Sequence, residues 1–188
     1  QELGMTNAGF TSIDQYRDIE SLNHYALALA AGADERAVLS GLARMSRDNA
    51  RTPMQWDASP NAGFTTGTPW IGLSQSWALG DTRATAAAQV DDPGSIYSYY
   101  RALADLRHRL PVVALGSFNR VVTGDTRIFA YERRLDGHPT LVVVVNLSSA
   151  TIAPRPGTVP ASAPLVLSNG DGEGPLGPWE ARVHLLAD

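Results

Sequence analysis

Eleven consecutive residues hold the densest chemistry in the chain: Arg47-Asp48-Asn49-Ala50-Arg51-Thr52-Pro53-Met54-Gln55-Trp56-Asp57. Two arginines stand four apart around an aspartate and an asparagine, and a tryptophan follows. A guanidinium donates in a fixed planar fork that fits a carboxylate or paired sugar hydroxyls. An indole offers a flat apolar face to a sugar ring. The same residues also suit a helix C-terminus whose arginines pair with local carboxylates and whose tryptophan is core. Taken alone, their types and spacing leave both readings open.

Carboxylate pairs come next, because glycoside cleavage needs two carboxyl groups, roughly 5–5.5 Å apart in retaining enzymes. Asp14/Asp18, Asp18/Glu20 and Asp91/Asp92 are candidate pairs. Residues two apart on a helix face different ways, and solvated helix faces and caps account for all three pairs. His24, His108, His138 and His184 have no metal-ligand spacing, so no metal site is expected. Cysteine is absent, which excludes disulfides, thiolate metal sites and a cysteine nucleophile. All 15 basic residues are arginine, which removes Schiff-base lysine and the P-loop lysine. Asn169–Gly174 lacks the alternating ligands of a calcium loop and reads as a hairpin tip. No cofactor is required by any residue pattern present.

The elements that must position these residues fall into two regions. With 188 residues, 44% of them hydrophobic and 18% charged, the chain has globular composition and room for one domain or two small ones. A net charge of −4 without a basic stripe argues against nucleic acid as a partner. No apolar run is long enough to span a bilayer, so no membrane partner is expected. Thr11-Ser12-Ile13-Asp14 offers caps for a helix carrying Tyr16, Ile19, Leu22 and Tyr25 and ending near Gly32. Asp34 caps a second helix with Val38, Leu39, Leu42 and Met45 on one face. Residues 52–94 carry Pro and Gly without a period and read as a long functional loop. A helix over 95–109 follows, and Pro111 stops it.

Beyond Pro111 the apolar period becomes two. Ser117–Thr123, Thr126–Arg133, Thr140–Asn146, Leu165–Ser168 and Ala181–Leu186 read as strands separated by turn residues such as Asp136-Gly137. The spacing predicts an antiparallel β-sandwich over 112–188, after a helical and loop-rich 1–111. The fold class expected is α+β. The opening Gln1-Glu2-Leu3-Gly4-Met5 has neither an initiator methionine nor the character of a signal peptide, which fits a piece of a longer protein.

Arg47–Asp57 followed by Asn61-Ala62-Gly63-Phe64-Thr65 closely resembles the oligo-1,6-glucosidase and α-glucosidase branch of glycoside hydrolase family 13. Gln1–Asn7, Tyr16–Glu20, Pro69-Trp70 and Ser95–Leu103 match the same branch. The resemblance implies the end of a (β/α)8 barrel followed by the C-terminal sandwich, and it covers essentially the whole chain. It implies retaining hydrolysis of short α-linked gluco-oligosaccharides from the non-reducing end. It also implies that the nucleophile, the acid/base and the third aspartate lie upstream, so no catalytic residue is expected here. Two substrate-binding residues carry over: Arg47, which would hold the far hydroxyls of the terminal glucose, and Glu20, on the leaving-group side. Arg51, Asp48 and Trp56 are expected to support the loop, with Asn49 a local structural partner of Asp48.

The 188-residue chain alone is then expected to be inactive, with the N-terminal remainder of the enzyme as a companion. The branch implies a cytoplasmic location. Linkage preference and hydrolysis against isomerisation or transfer are decided upstream. The competing reading is a carbohydrate-binding or interaction module over 112–188, whose aromatics are Phe118, Phe129, Tyr131 and Trp179.

Overall fold

The computed structural model describes residues 1–187. The chain divides into two compact units, Gln1–Ser98 and Tyr99–Asp188.

In the first unit, helix α1 (Ile19–Ala30) and helix α2 (Glu35–Met45) pack against each other. Each starts on an aspartate in extended backbone. Asp18 accepts from the Ser21 N–H and Asp34 from the Ala37 N–H, so orphan donors of the first turn are satisfied. Helix α1 therefore begins later than its sequence suggests. Ser12 instead opens a separate 3-10 turn, Ile13–Gln15, and the Gln15 side chain accepts from the Thr11 and Ser12 N–H groups. Ala8, Phe10, Tyr16, Val38, Leu42 and Ile71 form the buried core, with Phe10 and Tyr16 edge-to-face at 5.3 Å. Met45 does not join the Val38/Leu42 face and is 83% exposed, at the last residue of α2 before the extended Ser46.

The stretch 52–94 is less featureless than its sequence implies. It contains a 3-10 turn, Pro60–Gly63, and the short helices α3 (Gln75–Ala78) and α4 (Ala86–Gln89). Buried amides replace a hydrophobic period here. Gln55 accepts from the Ser74 hydroxyl at 2.5 Å and donates to the Ala84 carbonyl, while Gln89 donates to the carbonyls of Leu3 and Arg83. Asn61, Ala62 and Gly63 are all in the left-handed region, with φ of 55°, 56° and 68°. Gly63 is required twice over, since a Cβ there would lie 2.6 Å from an Asp57 carboxylate oxygen.

Helix α5 (Ile96–Arg109) leads into the second unit. Pro111 does end it, and also opens a further short helix, α6 (Pro111–Leu115), occupying the first position where its missing N–H costs nothing. Five antiparallel strands follow: β1 (Ser117–Val121), β2 (Ile128–Leu135), β3 (His138–Asn146), β4 (Leu165–Ser168) and β5 (Ala181–Leu186). They form one sheet in the order β1-β2-β3-β5-β4. Leu141 and Val143 face Leu106 and Val112 of the helices. Val144, from the opposite side of β3, packs with Ile128, Ala130, Ile152 and Leu176. The second layer there is irregular chain rather than a full sheet, tied by an isolated bridge between Ile152 and Leu176. Covered on both faces, β3 reads as a continuous apolar run from Leu141 to Val145.

Candidate functional site

The sequence segments Tyr16–Glu20 and Ser46–Arg51 are about 30 residues apart and meet in the first unit. Asp48 makes the junction and is fully buried. One of its carboxylate oxygens accepts from the backbone N–H of Arg17 at 2.6 Å and of Asp18 at 2.9 Å. Its other oxygen faces Arg51 Nη1 at 3.3 Å. The same Nη1 donates to Asp18 Oδ1 at 2.9 Å. Asp18 Oδ2 in turn accepts from the Ser21 N–H and hydroxyl, both at 3.1 Å, and Ser21 Oγ lies 2.9 Å from Ser46 Oγ. Ser46 Oγ accepts from the Asp48 N–H, closing the ring of contacts.

These bonds set the electrostatics. Burial pushes the Asp18 carboxyl up, but the Ser21 donors and Arg51 outweigh it and hold Asp18 below its ordinary value. Burial, together with the charge of Asp48, raises the Tyr16 phenol. The sequence pairs Asp14/Asp18 and Asp18/Glu20 are not the ones brought together. Asp18 meets Asp48, a pairing no local spacing announces. A guanidinium and backbone donors occupy the oxygens of both, so neither is a free nucleophile or base.

The remaining sequence-derived residues stand outside this frame of bonds. Arg47 is exposed, as is Glu20 in the first turn of α1. Neither side chain takes a hydrogen bond or ion pair among the described residues. Asn49 accepts from the Ala8 N–H and donates to the Ala43 carbonyl. Trp56 is 51% exposed. Its backbone is what ties its segment, donating to the Ala62 carbonyl and accepting from the Ala87 N–H. Gln55, beside it, is the fully buried anchor that sequence reasoning passed over. A polar residue with no apolar period around it gives no burial signal. Among the described residues, no group of three or more His, Cys, Asp or Glu is placed to hold a metal ion.

In the second unit Phe118, Tyr131 and Phe129 form a chain of ring contacts at 5.1 and 5.7 Å, while Trp179 is 58% exposed. A second buried ion pair lies here. Glu180 accepts from Arg182 Nε at 2.6 Å and from the Gly177 and Gly172 N–H groups, and Arg182 also donates to the carbonyls of Glu173, Gly174 and Pro175. The bonds from Arg182 bring the Glu180 carboxyl down to about 2 against its burial.

Residues 1–116 match the family described as Alpha amylase, catalytic domain. The chain belongs to the α-amylase family of glycoside hydrolases, glycoside hydrolase family 13. Residues 116–183 match a second described family, DUF3459, a domain of unknown function. The chain is 39% identical to an oligo-1,6-glucosidase of Parageobacillus thermoglucosidasius over 99% of its own length and 34% of that enzyme's. It superposes on the crystal structure of Bacillus licheniformis trehalose-6-phosphate hydrolase with a TM-score of 0.84 and 32% identity, covering 100% of this chain and 35% of that one. An isomaltulose synthase mutant from Erwinia rhapontici NX5, in complex with D-glucose, gives 0.85 and 30% identity over 100% of this chain and 34% of that one. The chain therefore spans about a third of the length of the curated relatives it matches. No helix among the described residues is long and apolar enough to cross a membrane.

Proposed function

We propose that this chain is the C-terminal portion of an α-glucosidase of oligo-1,6-glucosidase type, and that it supplies part of the sugar pocket but none of the catalytic carboxylates. The observation that carries this reading is the pair of exposed, unpartnered charges, Arg47 and Glu20, each borne by a segment that the buried Asp18–Arg51–Asp48 frame immobilises. Arg47 holds hydroxyls of a terminal glucose through its fork, and Glu20 accepts from hydroxyls on the leaving-group side. The substrate is a short α-linked gluco-oligosaccharide, the parent enzyme is retaining, and its location is cytoplasmic. The barrel part runs to residue 111 and the β domain from 112. The isomaltulose synthase relative favours a second reading, in which the parent isomerises or transfers rather than hydrolyses.

Two measurements test the proposal. Intact-mass spectrometry of the purified chain, with a p-nitrophenyl α-glucoside assay, should give one species near 20.1 kDa and no turnover. In the intact parent, Arg47→Lys should raise KM about 10- to 100-fold, as loss of a charged, two-pronged hydrogen bond does. Turnover by the chain alone, or an unchanged KM in the variant, sinks the reading.

A further inference from the structure

The two free charges do not belong to one element. Glu20 sits at the second position of α1, and Arg47 opens the 3-10 turn Arg47–Ala50. One carboxylate takes the backbone of one support while belonging to the other. Asp48 follows Arg47 in the chain, yet its side chain receives the N–H groups of Arg17 and Asp18, the residues that lead into α1. Asp18 is the N-cap of that helix, so the backbone that Asp48 grips sets where α1 starts and where Glu20 points from. Arg51, one turn beyond Asp48, binds Asp18 and Asp48 through the same nitrogen, so the two carboxylates can stand together without repelling. The two serines, Ser21 and Ser46, repeat the link from helix to turn.

We infer that Asp48 is a positioning residue that couples the placement of Arg47 to that of Glu20, so that one buried carboxylate sets both sides of the proposed sugar site. It rests on the reading of Arg47 and Glu20 as sugar contacts. Asp48 itself touches no ligand, because its oxygens are occupied by Arg17, Asp18 and Arg51. Replacement by asparagine keeps the shape but removes the charge: its one oxygen holds the Arg17 and Asp18 N–H groups as a weaker, neutral acceptor, while its amide faces Arg51 donor to donor, so the grip on both segments loosens together.

The test has an arm that does not depend on activity. In the 188-residue chain, Asp48→Asn should speed amide exchange at least tenfold at Arg17 and Asp18 and also over 47–51. Strands β3 and β5 should keep their protection. In the intact parent, the same variant should raise KM for a short α-glucoside about tenfold with a smaller change in kcat. Should Asp48→Asn fail to fold, Arg51→Gln, which removes the bridging nitrogen at a partly exposed position, should produce the same joint rise in exchange. Unchanged exchange at Arg17 and Asp18, or a rise confined to 47–51, overturns the coupling. Arg47→Lys separates the two claims. If it leaves KM unchanged, the sugar-contact reading fails whatever the exchange shows. If it raises KM while Asp48→Asn alters neither KM nor exchange, the positioning role fails alone.

Discussion

In the unit from Tyr99 onward, Leu141, Val143 and Val183 pack on one side of the sheet and Ile128, Ala130 and Val144 on the other. In Gln1–Ser98, the fully buried side chains include Asp48, Gln55 and Ser74, while Ile19, Leu27 and Leu79 are exposed. The sheet unit is held chiefly by apolar area removed from water, roughly 25 cal/mol per Å². The helical unit relies far more on directed bonds to buried polar groups, each worth little net and costly to leave unmade. Such bonds fix backbone positions more sharply than apolar contact does, which suits the presentation of Arg47 and Glu20 proposed above. The exposed apolar residues fit a barrel segment seen without the remaining two thirds of the length its relatives have.

The contrast can be broken by substitution. Leu141→Ala removes a side chain buried between α6 and the sheet and should cost about 2–5 kcal/mol, read from the urea midpoint of the chain. A comparable truncation in the helical unit, Leu42→Ala, should cost less, about 2–3 kcal/mol, because Leu42 is less completely buried, 7% exposed against 2% for Leu141.

Acid should sharpen the contrast next. Glu180 titrates at about 2 folded against 4.5 ordinarily, so its contribution is complete above pH 4.5 and is lost as pH falls towards 2. That loss is of order 3 kcal/mol, and Glu180→Gln should flatten the pH dependence of unfolding in that window. Asp18 is shifted in the same direction, so the helical unit should also weaken on acidification. The smallest effect belongs to Met45→Ala. An 83% exposed side chain should change the urea midpoint by no more than about 0.5 kcal/mol, although the helical period of the sequence puts it on the core face.

Much of the second unit was legible from sequence. The β-branched apolar run Leu141–Val145 and the Asp136-Gly137 turn, with Gly137 at φ 74°, mark β3 and its hairpin partner. The bulge near Arg133 and Leu135, which shifts the end of β2, had no signal, because an extra residue leaves the local pattern intact. In the first unit the Asp34 cap was legible, but Asp18 was passed over as a cap because Thr11–Asp14 offered an earlier one. Arg47 and Glu20 were singled out through resemblance, since an exposed charge carries no spacing signal of its own.

The sequence by itself determined the elements that repeat a local rule: capped helices, alternating strands and the proline that ends α5. It also carried the family, in a motif running from Arg47 to Phe64. Only the tertiary structure decided that Asp18 and Asp48 share one arginine, that Gln55 is an anchor, and that Met45 lies outside the core. The physical reason is range. Caps and periods arise between residues a turn or less apart, whereas the bonds from Asp48 to Arg17 and Asp18 join residues 31 and 30 apart and exist only once the chain has folded back on itself.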